Sequence, residues 1–268
     1  VDVPHVAAGI QDSWTVSAVA TNDVSVSNEE TGTVTVDTVT GHDLAGDTDL
    51  SGNPGDTVTY HFTILNTGNA QEKMDYTVTS SWNVDTPGGS TTLDMGASDT
   101  ISVTQTIPAN ADSGDSASVT FSVINGDGSS TSVTTTANQI YGVTVTAGTL
   151  TGLNPGGSGD LSFTVTNTGN GFDTFTIGHS GVWANAKSDD TVSLASGSSA
   201  TVDITVGIPA DAASTASSSI GLSATSSGAA STDSYDVVVA SSTRSLAIIG
   251  GTAYTFNQGT IGQGTATI

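Results

Sequence analysis

The stretch Asn53-Pro54-Gly55-Asp56-Thr57-Val58-Thr59-Tyr60-His61-Phe62-Thr63-Ile64-Leu65-Asn66-Thr67-Gly68-Asn69 decides how this chain folds. Its centre alternates. Val58, Tyr60, Phe62 and Ile64 take every second place, with Thr57, Thr59, His61 and Thr63 between them. Successive side chains of a strand point to opposite faces, so this is a strand with one face in a core and the other in water. Its flanks are turns. In Asn53-Pro54-Gly55, proline fixes φ and glycine supplies a positive φ. Thr67-Gly68-Asn69 is a second turn signal.

The same stretch occurs twice at one offset, Asn53 to Asn154 being 101 positions. Asn154-Pro155-Gly156 repeats the first turn and Asn167-Thr168-Gly169-Asn170 the second. Trp82 pairs with Trp183, and Ile107-Pro108-Ala109 with Ile208-Pro209-Ala210. Leu161, Phe163 and Val165 keep the register of the strand. Ile101, Val103 and Ile107 match Val202, Ile204 and Ile208, and Val119, Phe121 and Val123 match Ile220, Leu222 and Ala224. A repeat of about 100 residues is too long for a solenoid unit and fits a sandwich of about seven strands. The expected fold is all-β: two tandem immunoglobulin-like antiparallel β-sandwiches, residues 41–141 and 142–241, between β-rich segments 1–40 and 242–268. Trp82 and Trp183 are expected to plug the cores, since large rings in sandwiches usually pack there.

Asn53 to Asn69 resembles the signature of the conserved immunoglobulin-like repeats of bacterial and archaeal cell-surface proteins; Asn154 to Asn170 resembles it less closely. The resemblance spans roughly residues 41–241. It implies an extracellular location and a stalk, wall or adhesive role, and it carries no catalytic residues.

Composition agrees with a surface protein and excludes several functions. The 268 residues carry a net charge of −23, and Lys73, Lys187 and Arg244 are the only fixed cations. Phosphate neutralisation needs lysine and arginine, so nucleic acid is not an expected partner, nor is an anionic membrane surface. There is no cysteine, hence no disulfide, thiolate metal ligand or thiol nucleophile. No apolar run reaches the ~18–20 residues of a transmembrane helix, so membrane insertion is not expected. The start at Val1, without methionine, reads as a secreted chain whose signal peptide has been removed.

The ends match neither copy, yet they are patterned. Trp14, Val16, Ala18 and Ala20 alternate, followed by Val24 and Val26. The far end carries Leu246, Ile248, Tyr254 and Phe256. Such tails need a β-edge to pair with, either in their own chain or in a neighbour. Pairing in a neighbour is heterologous and propagates into a homopolymer. In this respect the architecture resembles extracellular filaments assembled by donor-strand complementation, such as archaeal thread-type filaments. The favoured donor is the N-terminal segment through Val26, and the alternative is Leu246 to Ile268. The expected function is therefore a structural subunit of a pilus-like filament or surface layer. An adhesin or stalk that binds a surface glycan or protein is the rival.

Chemistry is sparse. Asp47-Thr48-Asp49-Leu50-Ser51-Gly52 matches the opening of a calcium loop, with Asp56 available as a further ligand, but Val58 stands where the bidentate glutamate belongs. Calcium is the one candidate cofactor. His61 should face solvent, and His179, which replaces Val78 of the first copy, should be partly buried. Gly114-Asp115-Ser116 resembles an esterase nucleophile motif without a placed histidine. No Gly-x-Ser-x-Gly elbow, phosphate loop or dinucleotide fingerprint is present, so the chain is not expected to be an enzyme.

Overall fold

The computed structural model describes residues 6–125 and 128–240. The chain divides into two compact units, Val1–Asn138 and Gln139–Ile268. The described residues form strands and turns only, with no helix among them and therefore no helix long and apolar enough to cross a membrane.

The first described strands of this unit are β1 (Gln11–Val19) and β2 (Ser27–Thr35), which among the described residues pair only with each other. Its sandwich follows. One sheet holds β4 (Leu50–Gly52), β6 (Glu72–Thr79), β8 (Gly88–Leu93), β10 (Ser116–Val123) and β11 (Ser129–Ala137) in the order β4-β11-β10-β6-β8. The other holds β3 (His42–Gly46), β5 (Thr57–Asn66), β7 (Asn83–Val84) and β9 (Ser98–Thr106) in the order β3-β5-β9-β7. The edge segment thus crosses between sheets: β3 lies antiparallel to β5, and β4 lies parallel to β11.

The second unit repeats this plan with one omission. One sheet orders β12 (Val143–Ala147), β13 (Ser158–Asn167), β17 (Ser199–Gly207) and β15 (Ala184–Lys187) as β12-β13-β17-β15. The other orders β16 (Thr191–Leu194), β14 (Asp173–Ser180), β18 (Ser217–Thr225) and β19 (Ala230–Val238) as β16-β14-β18-β19. Among the described residues no strand takes the place of β4, and β19 is the last strand of its sheet.

The expected alternation fills both cores. Tyr60, Phe62, Ile64, Val103, Val119 and Phe121 are fully buried in the first. Leu161, Phe163, Val165, Val202, Ile204 and Ile220 are fully buried in the second. Three aromatics pack face to face in the first core, Phe62 on Phe121 and Tyr76 on Phe121, each pair with centroids 5.0 Å apart. A polar chain also runs through that core. The Tyr60 hydroxyl donates to the Thr134 carbonyl and lies 2.7 Å from Thr135 Oγ1, Thr135 bonds Gln105, and Gln105 Nε2 reaches Ser80 Oγ at 2.6 Å. In the second core Leu161 and Val206 stand at the places of Tyr60 and Gln105, and the chain is replaced by apolar contact.

The tryptophans diverge. Trp183 is buried in the second core. Trp82 corrects the expectation: it is half-buried and covers a small cluster of Ile107, Ala111 and Ala137 at one pole of the first sandwich. His179 is a second correction. β14 ends at Ser180 and Gly181 turns the chain at φ +122°, so His179 stands exposed at the sheet rim while Val78 is buried.

The repeated turns are staples between chain segments. Gly55 N donates to the Ile107 carbonyl and Ile107 N to Asp56; Gly156 N donates to Ile208 and Ile208 N to Gly157. Asn-Pro-Gly and Ile-Pro-Ala therefore recur together because they are bonded neighbours. At the opposite pole the Asn-Thr-Gly-Asn turns hold the segment that leads into each sandwich. Thr67 N donates to Gly41 and Thr168 N to Gly142. Asn69 Oδ1 accepts Val39 N at 2.8 Å, and Asn170 Oδ1 accepts Ile140 N at 2.7 Å. Only glycine fits the third place, because a Cβ on Gly68 would lie 2.5 Å from the Val39 carbonyl oxygen and one on Gly169 2.4 Å from that of Ile140.

Candidate functional site

The β1–β2 hairpin is a strand pair of the described chain whose apolar side chains belong to neither core. Its register pairs Asp12 with Val34, Trp14 with Gly32, Val16 with Glu30 and Ala18 with Asn28. Trp14, Val16, Ala18 and Val34 therefore share one face with Asp12, Asn28, Glu30 and Gly32, and the other carries Ser13, Thr15, Ser17, Val19, Glu29, Thr31 and Thr33. The apolar face is open to solvent, with Trp14 52% and Val16 60% exposed. The Trp14 ring lies across Gly32, where an added Cβ would stand 2.3 Å from Cζ2. A glycine opposite a large ring gives the ring a floor in an otherwise bare ribbon.

Local bonds explain the hairpin. Asp23 organises its turn: Oδ1 accepts Ser25 N at 3.0 Å and Ser25 Oγ at 2.6 Å, and the Asp23 carbonyl accepts Val26 N. These bonds hold the Asp23 carboxyl below its ordinary pKa, the Ser25 hydroxyl acting most. The open end is tied by Gly9 N to Val36 O and Val36 N to Ile10 O, and Ala8 N anchors it to the Asn69 carbonyl of the sandwich. The expected donor segment is corrected in one respect. Trp14, Val16 and Ala18 lie on a strand, but Val24 and Val26 lie in the turn beyond it, so the segment folds on itself instead of running as one extended strand. The alternative donor residues Leu246, Ile248, Tyr254 and Phe256 lie outside the described residues.

We expect Gly32→Ala to push the exposed Trp14 ring aside without unfolding the hairpin. Tryptophan emission should shift while the melting of both sandwiches stays unchanged.

The calcium candidates are not brought together. Asp47 Oδ2 accepts His61 N at 2.8 Å and lies 3.0 Å from His61 Nδ1. Asp49 Oδ1 accepts Thr134 N at 2.7 Å, on the other sheet. Asp56 Oδ2 accepts Asn53 N and closes the Asn-Pro-Gly turn, while Ser51 pairs with Thr136 through β4. Among the described residues no group of three or more histidines and carboxylates is placed to hold a metal. His61 faces solvent as expected. Gly114-Asp115-Ser116 is a turn: Gly114 has φ +87° and Asp115 Oδ2 accepts Asp112 N. A shallow trough of about 460 Å³ on the second sandwich, lined by Gly178, His179, Gly221 and Asp233, is open to solvent.

Among the described residues five aspartates bond donors that lower their pKa: Asp23 to Ser25, Asp47 chiefly to the His61 amide, Asp85 chiefly to the Thr104 amide, Asp190 to Lys187, and Asp233 chiefly to the Ala147 amide. A lowered folded-state pKa contributes stability above the unfolded value of about 3.9, lost as pH falls through the folded value. Acidification also discharges a chain of net charge −23 and relieves its self-repulsion. The expected melting temperature is therefore level or rising from pH 7 to about 5 and falling below about pH 3.5, as read by circular dichroism.

Comparison with known proteins adds little to this geometry. No family model matches the chain, and no curated protein matches it. Solved structures match it weakly. A protein of unknown function from Porphyromonas gingivalis W83 is 12% identical with a TM-score of 0.30, over 73% of this chain and 99% of that one. Escherichia coli alpha-2-macroglobulin activated by porcine elastase is 13% identical with a TM-score of 0.29, over 85% and 24%. Red sea bream transglutaminase is 10% identical with a TM-score of 0.29, over 76% and 32%.

Proposed function

We propose that this chain is a non-enzymatic structural subunit of an extracellular filament or surface layer, joined to its neighbours by β-strand addition through the N-terminal hairpin. The observation that carries this reading is the bare ribbon of β1 and β2, nine residues each, with Trp14, Val16, Ala18 and Val34 gathered on one face and, among the described residues, no strand paired to either edge. A lone two-stranded hairpin is marginal in water and gains stability from a third strand or a packed face. Natural proteins keep such edges short or covered unless they are used. A second copy of the chain is the partner that makes the contact repeat, since the donor and acceptor surfaces then differ and the contact propagates.

Charge sets the conditions. Chains of net charge −23 repel one another, so assembly should need salt. Between 0.01 and 1 M the screening length falls from ~30 to ~3 Å. The test is electron microscopy with sedimentation velocity on the full chain and on a chain lacking residues 1–35, across that range. Long polymers of the full chain at high salt, and none of the truncated chain, are expected. Polymers of both would overturn the role of the hairpin. Monodisperse full-length chains at every salt concentration would overturn the polymer itself and favour the adhesin or stalk.

A further inference from the structure

We infer that the acceptor for the hairpin is the open edge of β19 in the second sandwich of a neighbouring copy, with β1 as the strand that pairs with it. The inference rests on the assembly role of the hairpin and specifies the surface it meets.

Strand length singles out β19. The edge strands of the two sandwiches are otherwise short: β3 and β12 have five residues, β15 and β16 four, β8 six, β4 three and β7 two. Short edges offer few unpaired groups to another chain. β19 breaks the pattern with nine residues, the length of β1. Its counterpart in the first sandwich, β11, is also nine residues long, but there β4 covers the last three by pairing Leu50, Ser51 and Gly52 with Thr135, Thr136 and Ala137, and Asp49 takes the Thr134 amide. In the second sandwich the segment after β12 returns to the sheet with one backbone bond, Ala240 N to the Leu153 carbonyl, just beyond the end of β19. The same chain thus carries a long two-stranded ribbon outside its sandwiches and, in the second sandwich, one long edge with no strand paired to it among the described residues.

The seam beside β19 is already closed on its inner side. Ser231 Oγ accepts Val145 N at 3.2 Å and Asp233 Oδ2 accepts Ala147 N at 2.7 Å. Both sandwiches have filled cores, so an added strand extends a sheet and does not complete a core. Between the two hairpin strands, charge selects β1. β2 carries Glu29 and Glu30, whereas β1 carries Asp12 alone, and β19 already holds Asp233 and Asp236. Charged side chains on an edge discourage pairing, and like charges opposite each other destabilise a sheet. Leu150 and Leu153, half-exposed where β4 has no counterpart, offer apolar surface for the Trp14 face. That orientation turns Ser13, Thr15 and Ser17 outward alongside Thr232, Ser234 and Asp236.

The absence of cysteine makes the test clean. Three full-length chains with Ser13→Cys, Thr15→Cys or Ser17→Cys are each mixed with chains carrying Thr232→Cys, Ser234→Cys or Asp236→Cys. They are assembled in high salt and mildly oxidised. All six positions are exposed, so the sandwiches should remain folded. At least one mixture should give the mixed disulfide in roughly tenfold excess over either homodimer, because neighbours in an assembly meet at high effective concentration. Assembly without any mixed disulfide in excess would overturn β19 as the acceptor and leave the hairpin reading standing. Failure of the unmodified chain to assemble would overturn both.

Discussion

Asn66→Ala and Asn167→Ala should each cost about 3 kcal/mol, making them the most damaging conservative substitutions in their sandwiches. Both side chains are buried, Asn66 fully and Asn167 to 1% exposure. They make the same three bonds. Nδ2 of Asn66 donates to the carbonyls of Ala70 and Leu93 at 2.8 and 2.9 Å, and Oδ1 accepts Gly68 N at 2.9 Å. Asn167 bonds Gly171, Leu194 and Gly169 at 2.8, 3.0 and 2.9 Å. Removing the amide strands two carbonyls and one N–H, at least partly beyond the reach of water, and an unsatisfied buried group costs ~1–3 kcal/mol. For a domain of this size that loss corresponds to about 12–20 °C in melting temperature, measurable by calorimetry. Asn66→Asp keeps the acceptor and removes both donors. Its carboxyl would face two carbonyls, so its folded-state pKa should rise. Stability would then be retained below the ordinary carboxylate value and lost as pH climbs through the raised one. A loss below about 1 kcal/mol for both alanine variants would show that the staple is dispensable.

The combined change Trp14→Ser and Val16→Ser should suppress assembly while leaving the sandwich melting transitions in place. Both side chains are more than half exposed in the single chain, so neither contributes to a core. Burying an apolar side chain of this size is worth ~1.5–3 kcal/mol. About half of each side chain is left to bury, so losing the two from a contact between copies costs ~1.5–3 kcal/mol, or about 10–10²-fold in the concentration at which assembly begins. Sedimentation velocity over a dilution series reads that shift directly. An unchanged onset would mean that the apolar face is not buried on assembly.

Much of the fold was legible because alternation is a local signal. Tyr60, Phe62 and Ile64, and their counterparts Leu161, Phe163 and Val165, are buried as their spacing requires. Other features depended on what stands across the sheet. The calcium-like spacing of Asp47 and Asp49 holds in sequence, but the chain crosses between sheets there and sends one carboxylate to β5 and the other to β11. The hairpin is hidden in the sequence because its turn, Ala20 to Val26, contains no glycine, and β2 is polar apart from Val34. Trp82 and Trp183 align in the repeat yet differ in burial, since Trp82 caps the small apolar cluster of Ile107, Ala111 and Ala137 at the sandwich pole. The missing counterpart of β4 was hidden for a similar reason: Thr151-Gly152-Leu153 differs little in character from Leu50-Ser51-Gly52.

Hydrogen exchange of the full chain, followed by mass spectrometry in dilute solution and at assembling concentration and salt, addresses the hairpin most directly. The account predicts that the amides of Gln11–Val19 exchange rapidly in dilute chains and become protected on assembly, together with those of Ala230–Val238. Equal exchange across Gln11–Val19 in the two conditions, with polymers visibly present, would contradict it.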